Sequence, residues 1–372
     1  MIIVHRVVLL LAAAAVGMFG GAGGCRTPEV GREWARYEYT QPQMGVPLRI
    51  VLYAESQLKA DAAAAAAVAR VSELNAALSD YEDASEITRL SQSAGSGRAV
   101  PVSADLWAVL AAAQKLSART DGAFDVTVRP LVQVWRRARR QREMPGLEKL
   151  EAAREVTGFR NLELDSRRRT ARLQVAGMQL DVGGIAKGYA VDEALKVLRG
   201  AGVTRALVAL SGDMVAGDAP PGKAGWRIEV PSLDVPDAPA AEFVLLANGA
   251  LSTSGDLFQR MEAGGKRYSH IIDPRTGRPI TDHSLVTVLA RDCTTADSLA
   301  TAMSVLGPEA GLRLIRSTPG AKARIHSQPG EKLQRAESPG FRRFVEKLPR
   351  WAAGRLTPRA SKTTRSRASR PR

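Results

Sequence analysis

The stretch Ser269-His270-Ile271-Ile272-Asp273-Pro274-Arg275-Thr276-Gly277 joins an apolar, strand-like run to a histidine and a stiff turn carrying Asp and Arg. Histidine moves protons near neutral pH, and Asp-Pro followed by Thr-Gly makes a tight connection, so the segment reads as a catalytic loop. A plain hairpin with a structural histidine would use the same residues. Upstream, Leu180-Asp181-Val182-Gly183-Gly184-Ile185-Ala186-Lys187-Gly188 leads through two glycines into a helix start. Glycines let a polyanion approach the backbone, a helix N-terminus carries partial positive charge, and Lys187 adds a cation. The segment has neither the Gly-Lys-Ser/Thr ending of a nucleotide-triphosphate loop nor the Gly-x-Gly-x-x-Gly spacing of dinucleotide folds, and a tight strand-to-helix turn is its simpler reading. Downstream, Ala296-Asp297-Ser298-Leu299-Ala300-Thr301 places a carboxylate and a hydroxyl four residues apart on one helical face. Two hard oxygens suit magnesium when phosphates complete its shell, although an Asp near a helix start also complements the dipole. Ala123-Phe124-Asp125, after Thr120-Asp121-Gly122, sets an aromatic beside a carboxylate at a bend, fit for a planar ring system or for core. Together these segments point to a metal-assisted reaction on a phosphate-bearing ligand.

The elements that must position these residues alternate between helical and strand periods. Residues 46–54 read as a strand, and Asp61 opens an Ala-rich helix with Val68, Val71, Leu74 and Leu78 on one face. Residues 103–119 repeat that stripe. Residues 136–154 are helical in pattern but highly charged, an exposed excursion, and 162–180 read as a strand pair with Arg167-Arg168-Arg169 at its turn. A helix over 189–198 precedes strands at 205–210, 226–230, 242–247, 266–272 and 285–290, and a last helix runs over 295–306. On the 266–272 strand, alternation would put Tyr268, His270 and Ile272 on one face. The interleaving predicts a mixed α/β domain, expected over 44–330.

Both ends differ from this domain. Residues 1–24 have a short basic start, an apolar run and small residues, the layout of an export signal, and Ala22-Gly23-Gly24-Cys25 resembles a bacterial lipoprotein site. An ordinary cleaved signal would look much the same. Residues 25–43 read as a polar linker. The expectation is an exported protein anchored through lipid on Cys25 to the periplasmic side of the membrane. Only one other cysteine exists, Cys293, so no internal disulfide is available once Cys25 is acylated; Cys293 reads as a packed residue, not a nucleophile. The net charge of +15 is concentrated at the end of the chain: residues 350–372 hold eight Lys or Arg and no acid, leaving about +7 elsewhere. Residues 331–372 therefore read as a basic, disordered tail, suited to anionic lipid or to no function, and nucleic acid is not an expected partner.

Eight segments in order resemble the ApbE family, the FAD:protein FMN transferases, across about residues 44–314: Met44-Gly45; Leu78-Ser79-Asp80-Tyr81 with Ser85-Glu86-Ile87; Gly122-Ala123-Phe124-Asp125; 181–188; Ser211-Gly212-Asp213; Thr253-Ser254-Gly255-Asp256; 269–277; and 296–301. The resemblance implies a T-fold-like flavin transferase domain. It implies that FAD is cut at its pyrophosphate with Mg2+ present, that FMN is joined by a phosphoester to a Ser or Thr of a redox protein, and that AMP leaves. Position by position, it implies FAD contacts from Met44, Tyr81, Ala123, Phe124, Asp125, Asp181, Lys187 and Ile271. The metal would be held by the Gly184 carbonyl, Asp297 and Thr301, with His270 and Asp297 in the catalytic roles, His270 as general acid/base or positioning group. Ser211 stands where glycine is common. Ala300 stands where some relatives carry a further Asp, so the metal here would lean more on water and phosphate. Two other readings share the bound nucleotide: an FAD pyrophosphatase releasing FMN and AMP, and a non-catalytic flavin-binding lipoprotein.

Overall fold

Alternating side chains in eight strands build the sheet against which both layers of the fold pack. Residues 34–233, 242–256, 260–330 and 332–346 are described by the computed structural model. The strands are β1 (Ala35–Gln43), β2 (Val46–Ala54), β3 (Ala206–Leu210), β4 (Asp213–Ala216), β5 (Gly249–Gly255), β6 (His283–Ala290), β7 (Lys322–Gln328) and β8 (Gln334–Glu337). They lie side by side in chain order, each antiparallel to the next. The helices are α1 (Gln57–Leu78), α2 (Glu86–Gln92), α3 (Ala104–Arg119), α4 (Arg129–Gln141), α5 (Leu147–Glu155), α6 (Ala186–Gly200) and α7 (Cys293–Arg316), the last broken at Gly307 (φ 73°) ahead of Pro308. No described helix is long and apolar enough to cross a membrane.

The period of two sorts residues between the two faces. Leu48, Ile50 and Leu52 of β2, Val208 and Leu210 of β3, and Val286 and Val288 of β6 pack beneath α1, α6 and α7, meeting Val71, Leu74, Leu195, Leu299 and Met303 in the main core. The intervening Val51, Leu207, Leu251 and Leu289 face the other way, against the antiparallel pair Trp226–Val230 and Glu242–Leu246 and against Phe341. Covered on both sides, β6 is buried along all eight residues. A third cluster joins Leu131, Trp135 and Ala138 of α4 to Leu150 and Ala153 of α5 and to Met261 and Ile272, so these helices hold the segment around His270.

The mixed α/β class is as expected, and several boundaries are corrected. The stretch read as linker, 25–43, contains β1, whose polar sequence suits an edge strand; Tyr37 and Tyr39 still lean on the core. The tail read as disordered from 331 instead contributes β8, paired to β7, and Phe341, which is fully buried against the Arg324 guanidinium. The folded unit therefore extends past both ends of the expected 44–330. The expected signal, Cys25 and the remainder of the tail lie outside the described residues. Ser56, not Asp61, caps α1, its hydroxyl accepting from the Lys59 amide at 3.3 Å. The charged 136–154 excursion is helical but not merely exposed, since Ala138, Leu150 and Ala153 are buried. The expected strand over 266–272 stops at Ser269, and β4, β5 and β7 were not anticipated.

One buried group ties stability to pH. His326 lies within β7, opposite Leu285 and Arg335, and its Nε2 has no hydrogen-bond partner among the described residues. Burial, reinforced by Arg324 and Arg335 and opposed by Glu242 and Glu337, brings its pKa down to about 4. An unfolded histidine titrates near about 6.5, so the neutral ring's contribution is complete above that value and is lost as pH falls through about 4, roughly 3 kcal/mol at the limit. His326→Asn should remove this loss, so that the variant gains on its parent in urea-derived stability as pH falls between these two values. An unchanged slope would show that His326 does not set it.

Candidate functional site

The cavity between the sheet, α6, α7 and α4 is built around a close helix crossing. Gly188 stands in the first turn of α6, and a Cβ there would lie 2.3 Å from the Cys293 carbonyl oxygen and 2.8 Å from Asp297 Cβ. Only glycine permits this approach. In return, the Asp297 carboxylate of α7 accepts a 3.0 Å hydrogen bond from the Gly188 amide, capping a helix whose N-cap, Ile185, supplies no side-chain cap. Asp192 of α6 reciprocates, accepting from the Cys293 and Thr294 amides at 2.8 Å each. Cys293 is fully buried at this contact, and burial pushes its thiol well up, with Asp213, Asp192 and Asp297 adding to the effect; it is a packed residue as expected.

Asp297 is the electrostatic centre. Its carboxyl is pushed up to about 7 by burial and then by the Asp213 charge, with Lys187 and the Gly188 amide opposing. The Lys187 ammonium donates to Asp213 and lies 3.7 Å from Asp297. Burial alone would lower its pKa, yet the two carboxylates together raise it. Asp213 also accepts from Ser252 Oγ at 2.6 Å. Two carboxylates against one ammonium leave the spot short of positive charge. Thr301 stands one turn along α7 from Asp297, and no described residue hydrogen-bonds its hydroxyl. A Cβ on Gly184 would lie 3.0 Å from Thr301 Oγ1 and 3.3 Å from the Phe124 ring, so the backbone of the double-glycine turn runs beside that hydroxyl. A buried carboxylate, a free hydroxyl and a backbone carbonyl are hard donors that fit Mg2+. The described residues hold no group of three or more His, Cys, Asp or Glu able to bind a metal, so such an ion would depend on oxygens from its substrate.

The rest of the wall is pinned by hydrogen bonds and ion pairs. Asp181 accepts from the Gly183 amide at 2.8 Å, shaping the glycine turn, and faces Arg136 at 3.5 Å. Arg136 also reaches Asp80 at 3.3 Å and lies over the Tyr81 ring at 4.8 Å; Tyr81 itself is 76 % exposed. Burial, then the neighbouring Asp181 charge, raises the Asp80 pKa against its two arginines. Asp125 accepts from the amide and hydroxyl of Thr127 and from the Phe159 amide, all at 2.7 Å, so its carboxylate holds the Phe124 bend. Burial raises its pKa. Met44 occupies the β1–β2 turn with φ 48°, followed by Gly45 at 75°. Ser211 has φ 58°, which explains in backbone terms why glycine would suit its place.

His270 is exposed at the cavity wall, one residue beyond the end of its strand. The alternation expected to align Tyr268, His270 and Ile272 is broken there, because the Ile271 amide turns back to Ser269 Oγ at 3.1 Å. The Ser269 amide donates to Ile280 at 2.9 Å and the Ile280 amide to Ile271 at 3.0 Å, closing a short strap. The turn that follows is structural. Arg275 is paired with Asp273 at 2.8 Å, and the Trp135 indole donates to the Gly277 carbonyl at 2.8 Å while stacking on Tyr268, centroids 5.8 Å apart.

All twelve residues expected at the site line this one cavity of about 1060 Å³: Met44, Tyr81, Ala123, Phe124, Asp125, Asp181, Gly184, Lys187, His270, Ile271, Asp297 and Thr301. Sequence reasoning passed over Arg136 and Ser252, and quoted Asp80 and Asp213 without a role. Arg136 was hidden in a run of arginines, Asp80 meets its partners only through the turn of α4, and Ser252 meets Asp213 only through the sheet.

Residues 44–325 match the ApbE family. An FAD:protein FMN transferase of Vibrio cholerae is 35% identical over 243 residues, covering 64% of this chain and 72% of the relative. One of Klebsiella pneumoniae is 30% identical over 312 residues, covering 81% and 87%. Among solved structures, the apo flavinyl transferase ApbE of Pseudomonas stutzeri superposes with a TM-score of 0.74 at 32% identity, covering 85% of this chain and 98% of that one. The flavin transferase ApbE of Vibrio cholerae gives 0.73 at 29%, covering 84% and 100%.

The helix crossing is directly testable. Gly188→Ala should force α6 from α7 and cost about 3 kcal/mol in urea unfolding. Gly200→Ala, at the open end of the same helix, meets no atom within 4 Å and should be neutral or slightly stabilising. A Gly188→Ala protein as stable as its parent would contradict the packing described.

Proposed function

This chain belongs to the ApbE family, and on that footing we propose that it is a Mg2+-dependent FAD:protein FMN transferase, acting on a Ser or Thr of a redox protein. The observation that carries the reading is the meeting, in one cavity, of the cation-short Asp297–Thr301–Gly184 corner, the Lys187 ammonium and the exposed His270. In the proposed reaction the acceptor hydroxyl oxygen bonds to the FMN-side phosphorus of FAD. The bond from that phosphorus to the bridging oxygen breaks, the bridging oxygen leaves with AMP, and the hydroxyl proton is taken up at His270 or by water. Mg2+ held by Asp297, Thr301 and the Gly184 carbonyl would neutralise charge on the pyrophosphate. Lys187, placed by Asp213, would hold a phosphate oxygen, and Phe124, fixed by Asp125, would flank the bound nucleotide. The wall fixed by Asp181 and Arg136 leaves the Tyr81 ring open to stack on a flat group.

Incubation with FAD, Mg2+ and a candidate acceptor separates this reading from its rivals: covalent flavin on the acceptor with one AMP per flavin supports transfer. AMP and FMN released to water without covalent flavin would favour a pyrophosphatase, and FAD held intact a binder. Asp297→Ala and Thr301→Ala should reduce turnover by about tenfold or more, most at low Mg2+, and His270→Ala should lower turnover while sparing FAD affinity. Unchanged metal dependence in both helix variants would remove the proposed cation site.

The proposal extends to place. The signal-like residues 1–24 and Cys25 support export and lipid anchoring on the periplasmic side. Cys25→Ser should move the protein from the membrane to the soluble fraction with activity intact; retention in membranes would overturn the anchor.

A further inference from the structure

The helix α4 and its C-cap carry six arginines in fourteen residues: Arg129, Arg136, Arg137, Arg139, Arg140 and Arg142. Two are committed, Arg129 to Asp80 at 2.9 Å and Arg136 to Asp80 and Asp181. The other four make no ion pair with any described residue. Such a run is often only a solvated face, but three features set this one apart. Arg139 and Arg140 belong to the wall of the FAD cavity, and Arg139 with Met261 continues into a separate groove of about 360 Å³ completed by Arg142, Arg260 and Glu262. Arg142 holds φ 56° and ψ 32° at the helix end, a left-handed position where glycine is the unstrained choice. The helix is also rigidly set beside the His270 segment by the Trp135 bond to Gly277 and its stack on Tyr268. Unpaired cations carried by a rigid helix beside the cavity, one of them at a conformational cost, call for anions presented together with the substrate.

FAD does not account for all of them. Its two phosphates are matched by Lys187 and the proposed metal corner, and Arg142 does not line the FAD cavity. A few residues along the chain from Arg142, the exposed Met144 and Leu147 add apolar area of the kind a polypeptide covers. We propose that this arginine-lined groove docks an acidic segment of the acceptor polypeptide, close in sequence to the Ser or Thr that receives FMN. The inference rests on the transferase reading. Charge pairing of this kind would raise the rate of encounter and choose among exposed hydroxyls that are otherwise chemically alike.

The test uses the full-length protein and two fluorescein-labelled peptides of roughly fifteen residues, one with a Thr flanked by Asp and Glu, the other with Asn and Gln in their place. Fluorescence anisotropy should show the acidic peptide bound about tenfold more tightly, with the difference shrinking as salt is added. Arg142→Glu should remove that preference while leaving FAD affinity, read by flavin fluorescence, unchanged. Arg142→Gly should raise the melting temperature, by about 2 °C, and still weaken the acidic peptide. A merely capping arginine would give the first effect without the second. Equal binding of both peptides, or of the acidic peptide to parent and Arg142→Glu, overturns the proposal. So does an Arg142→Glu protein that loses binding to phosphatidylglycerol vesicles but not to the peptide, which assigns the face to lipid. A parent protein that cleaves no FAD yet binds the acidic peptide through Arg142 retires the transfer reading and keeps the docking surface.

Discussion

The approach of α6 to α7 is the constraint from which the site follows. A backbone carbonyl and a carboxylate of one helix press against the first turn of the other, and the missing side chain of Gly188 is what lets them. The same contact buries Asp297, and burial is the first cause of its raised pKa. A carboxylate forced into such a place without enough positive charge around it is unfavourable for folding alone. A cation placed beside it, such as the proposed Mg2+, would relieve that cost, so the packing that builds the core also shapes the proposed ion site. Asp213 sharpens this arrangement by holding Lys187 as a partial counter-charge from the sheet side.

How far the sequence revealed this differs from residue to residue. Asp297 and Thr301 were legible because helical spacing puts them on one face, and Gly183-Gly184 because paired glycines before a helix are unusual. Asp125 was legible as a position but not as a contact: its carboxylate serves Thr127 and Phe159, a role that needs the fold to be seen. Arg136 could not be told from its neighbours, since only the turn of α4 decides which arginine meets Asp80 and Asp181. The edges of the domain were misread for a common reason. Both β1 and β8 are outer strands of a sheet, and outer strands carry polar residues that read as linker or tail.

The two ends of the cavity are held by different physics. The floor is fixed by buried charges and capped helix starts, where small shifts alter pKa values and cation affinity. The rim is fixed by aromatic stacking and by the tight strap around His270, whose histidine remains open to the outside. A rigid floor below and an exposed histidine above suit the proposed transfer, in which one substrate is enclosed and the other is a large protein.

The chain-order sheet has a kinetic meaning. Strands β2 and β3 are neighbours in space but are separated by roughly 150 residues, a span that includes α4 and α6 and with them most of the nucleotide wall. Closing that interval is a long-range step, slow by comparison with forming any one helix. Before it occurs, Lys187 has no Asp213 beside it, and α6 and α7 have no shared surface on which to meet. Ligand binding should therefore appear late and all at once during refolding, and a bound nucleotide would act as a clasp on the least local strand pairing of the described sheet.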